Sequence, residues 1–204
     1  MEQRTDEWHK ARYGWATASR LADLMAKTKS GSSATREKYL TQVVIERITN
    51  QPYNSGFTTA AMQRGIDLEP KAICAYEIIT GNTVDPVGFI RHPSIDYAGA
   101  SPDGMIGDDG LIEVKCPESH THIATIETGK IDRRYMLQMQ FQMACAQRQW
   151  CDFVSFDDRM PGNLSIKIIR VEKDQKMIDL IESEVISFLD DANKRIAKLM
   201  EEIK

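Results

Sequence analysis

Between residues 83 and 116 the chain changes its period, and that change limits the folds open to it more than any other feature. On either side, apolar residues recur at helical spacing. Inside, short strand candidates alternate with turn residues: Thr83-Val84, Gly88-Phe89-Ile90-Arg91, Tyr97-Ala98-Gly99-Ala100, Met105-Ile106 and Leu111 to Cys116. The run reads as a β-meander. Before it, Thr17 and Ser19 precede Leu21, Leu24 and Met25 and predict a capped helix to about Lys27. Lys27 to Ser33 is a polar loop. Thr35 opens a second helix through about Thr49, with Tyr39, Leu40, Val43, Val44 and Ile48 inward, and Asn50 to Gly56 breaks it. Residues 58–80 are helical again, Gly65 and Pro70 marking a kink or two successive helices and Gly81 a stop. Beyond the strands, Arg133 to Gln147 is helical, with Met136, Met139, Met143 and Ala144 on one stripe and Tyr135, Gln138 and Gln142 on another. Gln149 to Phe156 and Leu164 to Val171 read as strands. Asp174 then opens an amphipathic helix carrying Met177, Ile181, Val185, Phe188, Ala192, Ile196, Leu199 and Ile203. Helices before, between and after the strands predict an α/β fold, a mixed central β-sheet flanked by helices.

At 204 residues the chain suits one domain, residues 1–204, more than two. No apolar run reaches membrane-spanning length and Met-Glu-Gln-Arg-Thr-Asp-Glu is no signal peptide, so a soluble, cytoplasmic protein without membrane contact is expected. Cys74, Cys116, Cys145 and Cys151 form no CxxC pair and read as buried free thiols. The net charge of −4 argues against a uniformly basic nucleic-acid coat. It conceals an asymmetry: residues 1–50 hold nine Lys/Arg against six Asp/Glu, whereas residues 81–132 hold three against nine. An acidic centre suits cations, and a basic amino-terminal part suits phosphates.

The acidic centre contains Ser101-Pro102-Asp103-Gly104 followed by Leu111-Ile112-Glu113-Val114-Lys115-Cys116, with Asp108-Asp109-Gly110 as a turn between them. Strand side chains alternate faces, so Glu113 and Lys115 point one way, and Ile112 and Val114 the other. A buried strand needs a use for a Glu and a Lys on one face, and a divalent metal beside a phosphate supplies one. Two carboxylates can hold Mg²⁺, the Val114 carbonyl adds a hard oxygen, and the Lys115 ammonium can orient a nucleophile. The spacing Asp-x9-Glu-x-Lys matches the PD-(D/E)xK nuclease signature. Taken alone it is equally a plain exposed hairpin. A further acid is needed, and Glu69 is the best placed, ahead of Asp67 and Glu77; read by itself, Glu69 is a solvated or capping residue.

Several blocks in order carry a more specific resemblance: Glu7-Trp8-His9-Lys10-Ala11-Arg12-Tyr13-Gly14, Ala16-Thr17-Ala18-Ser19, Arg64-Gly65 to Glu69, Ser101-Pro102-Asp103-Gly104, Glu113-Val114-Lys115-Cys116-Pro117, Tyr135-Met136-x-Gln138-x-Gln140 and Asp157-Asp158-Arg159-Met160. Together they resemble the bacteriophage lambda exonuclease family, the YqaJ-type viral recombinases of the PD-(D/E)xK superfamily. The resemblance implies a restriction-endonuclease-like core and a Mg²⁺-dependent exonuclease, Mn²⁺ able to substitute. Such an enzyme digests one strand of linear double-stranded DNA from a 5′-phosphorylated end to mononucleotides, leaving a 3′ single strand. It further implies a homotrimeric ring around the DNA and a single-strand annealing protein as partner. Carried over residue by residue, Asp103, Glu113, Glu69 and the Val114 carbonyl would hold metal, with Asp103, Glu113 and Lys115 catalytic. Arg12, Ser19, Ser101, Tyr135 and Gln138 would bind the 5′ phosphate and DNA. In such a ring only the channel need be positive, and Lys27, Lys29, Arg36 and Lys38, around the Ser30 to Ser33 loop, are candidate channel or strand-separating contacts. The rival readings are a structure-specific or restriction-type endonuclease on the same core, and a non-catalytic DNA-end-binding recombination protein.

Overall fold

The computed structural model describes residues 2–28, 31–53 and 59–202. Its helices are α1 (Asp6–Lys10), α2 (Leu21–Leu24), α3 (Ala34–Thr49), α4 (Ala60–Thr80), α5 (Ser119–Thr128), α6 (Arg133–Ala146) and α7 (Gln175–Glu201). Its strands are β1 (Ala16–Thr17), β2 (Lys27–Thr28), β3 (Gly31–Ser32), β4 (Ile90–Arg91), β5 (Ala98–Ala100), β6 (Gly104–Ile106), β7 (Gly110–Lys115), β8 (Trp150–Phe156) and β9 (Ile166–Glu172). The main sheet runs β6-β7-β8-β9, antiparallel at both edges and parallel between β7 and β8. The expected mixed sheet flanked by helices is therefore present.

Strand alternation decides what each face of this sheet meets. Ile112 and Val114 of β7, with Val154 and Phe156 of β8, pack against Leu68, Ala72 and Tyr76 of α4. Leu111, Cys151, Phe153 and Val171 face Met139 and Met143 of α6. Glu113 and Lys115 fall in line with Leu111, on the α6 side. Helix α6 is buried over most of its circumference, because its other face (Leu137, Phe141, Ala144 and Cys145) joins a second core with α3 and α7. Gln140 resolves its burial by bonding both ends: its amide donates to the Glu172 carbonyl and its oxygen accepts from Asp174 N–H, each at 2.8 Å. That bond leads the chain from β9 into α7, whose N-cap is Asp174 as expected.

The meander is the main correction. Strands β4 and β5 do not continue into β6; they form a separate sheet, β1-β5-β4, in which β1 runs parallel to β5. Thr83-Val84 is no strand, only a flank of the isolated Asp85–Met105 bridge. Ala18–Arg20 is a 3-10 turn and α2 stops at Leu24, with no side-chain cap from Thr17; Lys27-Thr28 then pairs with β3 where a loop was expected. Ser33, not Thr35, caps α3 by accepting from Arg36 N–H. Residues 60–80 are one helix with Pro70 inside it, so the missing N–H removes a single intrahelical bond without dividing the element. Helices α1 and α5 were not expected at all. Ile48 and Leu199 are exposed, and Ile203 lies outside the described residues. Of the cysteines, Cys145 and Cys151 are buried as expected, Cys116 is half-buried and Cys74 is exposed.

Candidate active site

The site is built on the β6–β7 hairpin. Asp103 stands just before β6, where its N–H donates to the Ile112 carbonyl at 3.2 Å and its Oδ2 accepts from Val114 N–H at 2.7 Å. One residue thus bonds across the hairpin through backbone and side chain, which fixes the carboxylate. Glu113 is almost completely buried, and every polar contact it makes is with a donor. Its Oε1 accepts from Lys115 Nζ and from Gln138 Nε2, the latter at 2.6 Å, and its Oε2 accepts from Gln142 Nε2 at 2.6 Å. Gln138 and Gln142 are four apart on α6 and so share a face.

The electrostatics follow from this crowding. Burial raises the Asp103 carboxyl well above its ordinary range, Glu113 and Glu69 raise it further, and Lys115 opposes them. Burial alone would lower the Lys115 pKa, but Glu113 and Asp103 hold it above its ordinary value. Lys115 is therefore an ammonium here. Tyr135 covers it, with Nζ 5.0 Å from the ring centroid.

Helix α4 contributes the third carboxylate, Glu69, whose Oε2 accepts from Arg4 Nη2. The weaker candidates are used elsewhere: Glu77 accepts from Val84 N–H at 2.8 Å, and Asp67 from Gln63 at 2.8 Å. Arg64, one turn before Glu69, reaches Asp157 at 2.9 Å and the carbonyls of Cys116 and Pro117. Burial alone would raise Asp157, but hydrogen bonds from Arg159 and Ser119 hold it well below the usual carboxylate range. This charged knot clamps the exit of β7, immediately past Lys115.

At the other end of the site, the Arg12 guanidinium lies 3.8 Å over the Trp8 ring, with Nη2 3.5 Å from Ser19 Oγ. Trp8 Nε1 in turn donates to Ser101 Oγ at 3.0 Å. Burial lowers the Arg12 pKa to about 10, leaving it cationic at neutral pH. Its Nε–H is buried without a partner among the described residues, a donor that an incoming acceptor would satisfy.

A cavity of about 850 Å³ unites these parts. It is lined by all ten residues that the resemblance assigned to metal, catalysis and the 5′ phosphate: Arg12, Ser19, Glu69, Ser101, Asp103, Glu113, Val114, Lys115, Tyr135 and Gln138. Gln3, Arg4 and Trp8 also line it, and Gln142 stands behind Glu113. Sequence reasoning gave these four no role; the Gln138/Gln142 spacing was visible, but not the carboxylate they share. Of the four expected channel cations, Lys27 is paired with Glu184 and Arg36 with Asp191, Lys38 is exposed, and Lys29 lies outside the described residues. No ready-made group of three or more His, Cys, Asp or Glu ligands occurs among the described residues. Glu113 and Glu69 are turned to cationic and amide donors instead. The donor chemistry still fits a hard divalent cation: three carboxylates and a strand residue's carbonyl border one cavity, and burial together with Glu113 and Glu69 raises the Asp103 pKa, a cost of carrying negative charge that such a cation offsets.

Residues 7–149 match the YqaJ-like viral recombinase domain. The chain belongs to this family. Among solved structures, this YqaJ-like protein is similar to an alkaline exonuclease, LHK-Exo, from Laribacter hongkongensis, with 48% sequence identity, 98% of each chain covered and a TM-score of 0.91. LHK-Exo in complex with dAMP aligns with the same identity, coverage and score. A phage-related exonuclease from Haemophilus somnus 129PT is 17% identical over 93% of this chain and 96% of that one, with a TM-score of 0.66, and shares the fold. No curated protein matches by sequence. The sheet with its carboxylate–lysine hairpin is the PD-(D/E)xK core that the sequence motif implied.

Proposed function

We propose that this member of an exonuclease family hydrolyses one strand of linear duplex DNA from a 5′-phosphorylated end, with Mg²⁺ as its metal and Mn²⁺ able to replace it. The observation that carries this reading is the juxtaposition, in one cavity, of the carboxylate–lysine hairpin and a buried, unpartnered Arg12 donor. A cutting centre beside an anion pocket measures a short distance from a terminal phosphate, which a nuclease acting at internal positions does not need. That LHK-Exo has been crystallised with dAMP, a nucleoside monophosphate, fits release of mononucleotides.

Glu69, Asp103, Glu113 and the Val114 carbonyl would hold the metal, which when bound neutralises nonbridging phosphate oxygens and makes water a stronger nucleophile at neutral pH. Lys115, kept protonated by Glu113 and Asp103, orients the attacking oxygen and balances charge on the phosphate. Gln138 and Gln142 fix the Glu113 carboxylate. Arg12, Ser19 and Ser101 receive the terminal phosphate, Trp8 holding both the guanidinium and the Ser101 hydroxyl. Tyr135 and Gln138 border the path between the two ends. The whole chain is proposed as one nuclease domain, working in the cytoplasm as a homotrimeric ring that passes its 3′ strand to a single-strand annealing protein.

The test is incubation with Mg²⁺ and linear or closed circular duplex, with and without 5′ phosphates, while released mononucleotides are measured. Digestion confined to linear, preferentially phosphorylated duplex is expected. Cutting of closed circles would establish the endonuclease alternative instead, and a complete absence of hydrolysis the end-binding one. Lys115→Ala should lower the rate by about 10²–10³-fold or more, the scale on which electrostatic stabilisers act. Arg12→Ala should mainly remove the preference for phosphorylated ends.

A further inference from the structure

The turn ahead of α1 closes over the candidate site, and two anchors hold it there. On one side, Gln3 Nε2 donates to the carbonyls of Val87 at 2.8 Å and Pro102 at 2.7 Å, the latter next to Asp103. On the other, Thr5 caps α1 by accepting from Trp8 N–H at 3.3 Å. Arg4, between them, has φ of 68°, a left-handed conformation that a residue with a Cβ adopts only under constraint. The constrained turn delivers the Arg4 side chain into the cavity, where its guanidinium donates to Glu69 Oε2. The pair is not sealed: the Arg4 and Glu69 side chains are 39% and 20% exposed. Water can reach the contact, and it can open.

We propose that Arg4 is a phosphate-binding residue of this site, held on Glu69 as a stand-in cation until a divalent metal takes that carboxylate. The proposal rests on the reading above in which Glu69 is a metal ligand. A divalent ion carries twice the charge of a guanidinium and takes the carboxylate from it. Gln3 and Thr5 fix the backbone on either side, so the Arg4 side chain stays rooted at the cavity. Its fork of N–H donors is left in a cavity that, loaded with DNA, offers phosphate oxygens as the replacement acceptor. Arg4 thus opposes metal binding in the absence of DNA and supports DNA binding once metal is present, which couples the two ligands. Arg12 serves the terminal phosphate in the proposed function; Arg4, beside Glu69, serves the metal end of the same strand.

Two titrations on the full chain test this, with Arg4→Gln against the native protein and Arg4→Lys as a charge-preserving control. Mn²⁺ binding without DNA, followed by calorimetry, should be roughly two- to fivefold tighter in Arg4→Gln, the scale of a half-exposed ion pair. Binding of a 5′-phosphorylated linear duplex in Ca²⁺ should be about tenfold weaker in Arg4→Gln, and the slope of log affinity against log salt should be shallower by about one. Arg4→Lys should keep the slope. Equal Mn²⁺ affinity in native and Arg4→Gln proteins, or an unchanged salt slope, overturns the role of Arg4 and leaves the site reading intact. Failure of the native protein to bind Mn²⁺ overturns the site reading itself, and the proposal with it.

Discussion

Both oxygens of Glu113 are taken, one by Lys115 and Gln138 and the other by Gln142, so the carboxylate has a single orientation before any ligand arrives. Gln142 is fully buried; among the described residues its side-chain amide donates to Glu113 and its own Oε1 finds no partner, so its burial is tied to Glu113. Gln142→Leu removes the amide at nearly constant volume and should weaken Mn²⁺ binding roughly tenfold, the usual cost of losing a group that orients a metal ligand. Calorimetry measures it; native affinity in a folded Gln142→Leu protein would sink the assignment. Asp103 yields the opposite kind of prediction. Its folded pKa lies above the ordinary 3.8, so the folded state holds its proton more tightly and loses stability as pH rises from the unfolded value through the folded one. At neutral pH, above the ordinary carboxylate range, the metal-free protein carries that penalty. Asp103→Asn should abolish hydrolysis while raising Tm by roughly 2–4 °C at pH 7 and leaving it unchanged in acid. A lower Tm at pH 7 would show that burial and the neighbouring carboxylates do not hold Asp103 at a cost. Asp103, Glu113 and Lys115 were legible because the chemistry demands fixed residue types at a fixed spacing. Gln142, Gln3 and Arg4 were not, because each acquires its meaning from a partner between 29 and 99 residues away.

Among the elements, those with long apolar periods were readable: α3, α6 and α7 each bury a continuous stripe, and the Asp-Gly turn announced β6–β7. Helix α5 was hidden because Ser-His-Thr-His-Ile-Ala-Thr-Ile-Glu-Thr has no such stripe; what it buries is His122, whose ring bonds Ser155 and the Leu164 carbonyl. The division of the expected meander was hidden because strands of two or three residues carry no signal of their partner, and β1, which completes the second sheet, lies over 80 residues upstream of β5. Where the elements meet the site, two substitutions probe the supports. A Cβ on Gly110 would sit 2.2 Å from the Trp150 ring, so Gly110→Ala must displace the tryptophan beside β7 and should cost about 1–3 kcal/mol in denaturant unfolding. Asp157 ties α4, β7 and α5 together. Its pKa is held below 3.8, so its contribution is complete above that pH and is lost as pH falls towards the lower folded value. Asp157→Asn should therefore destabilise by about 3 kcal/mol at pH 7. The gap to the native protein should be constant down to pH 4 and then narrow. A gap as wide at pH 2 as at pH 7 would contradict the ion-pair account.

For the molecule as a whole, a net charge of −4 sets a constraint that the cavity alone does not remove. At neutral pH the chain and DNA repel each other at long range, and attraction is confined to the few cations that face the duplex. Salt competes with the phosphates for those few exposed cations, so it weakens the capture of a DNA end at the entrance more than contacts inside a closed site. A protein holding DNA by charge alone would lose loading and retention together as salt rises. A ring retains DNA by topology, whatever the sign of its exterior. The trimer proposed above therefore predicts a separation: between 50 and 200 mM salt the rate of loading onto a phosphorylated end should fall by roughly one to two orders of magnitude, the scale of about two to four phosphate contacts at the entrance. Nucleotides removed per encounter, measured in single-turnover digestion with a DNA trap, should stay constant over the same range. Mass measurement in solution should give three 23.1 kDa chains under both conditions. If run length falls in step with loading while the mass remains trimeric, the ring does not enclose the DNA and retention is electrostatic; if the mass is that of one chain, the Arg12 pocket must hold the end unaided.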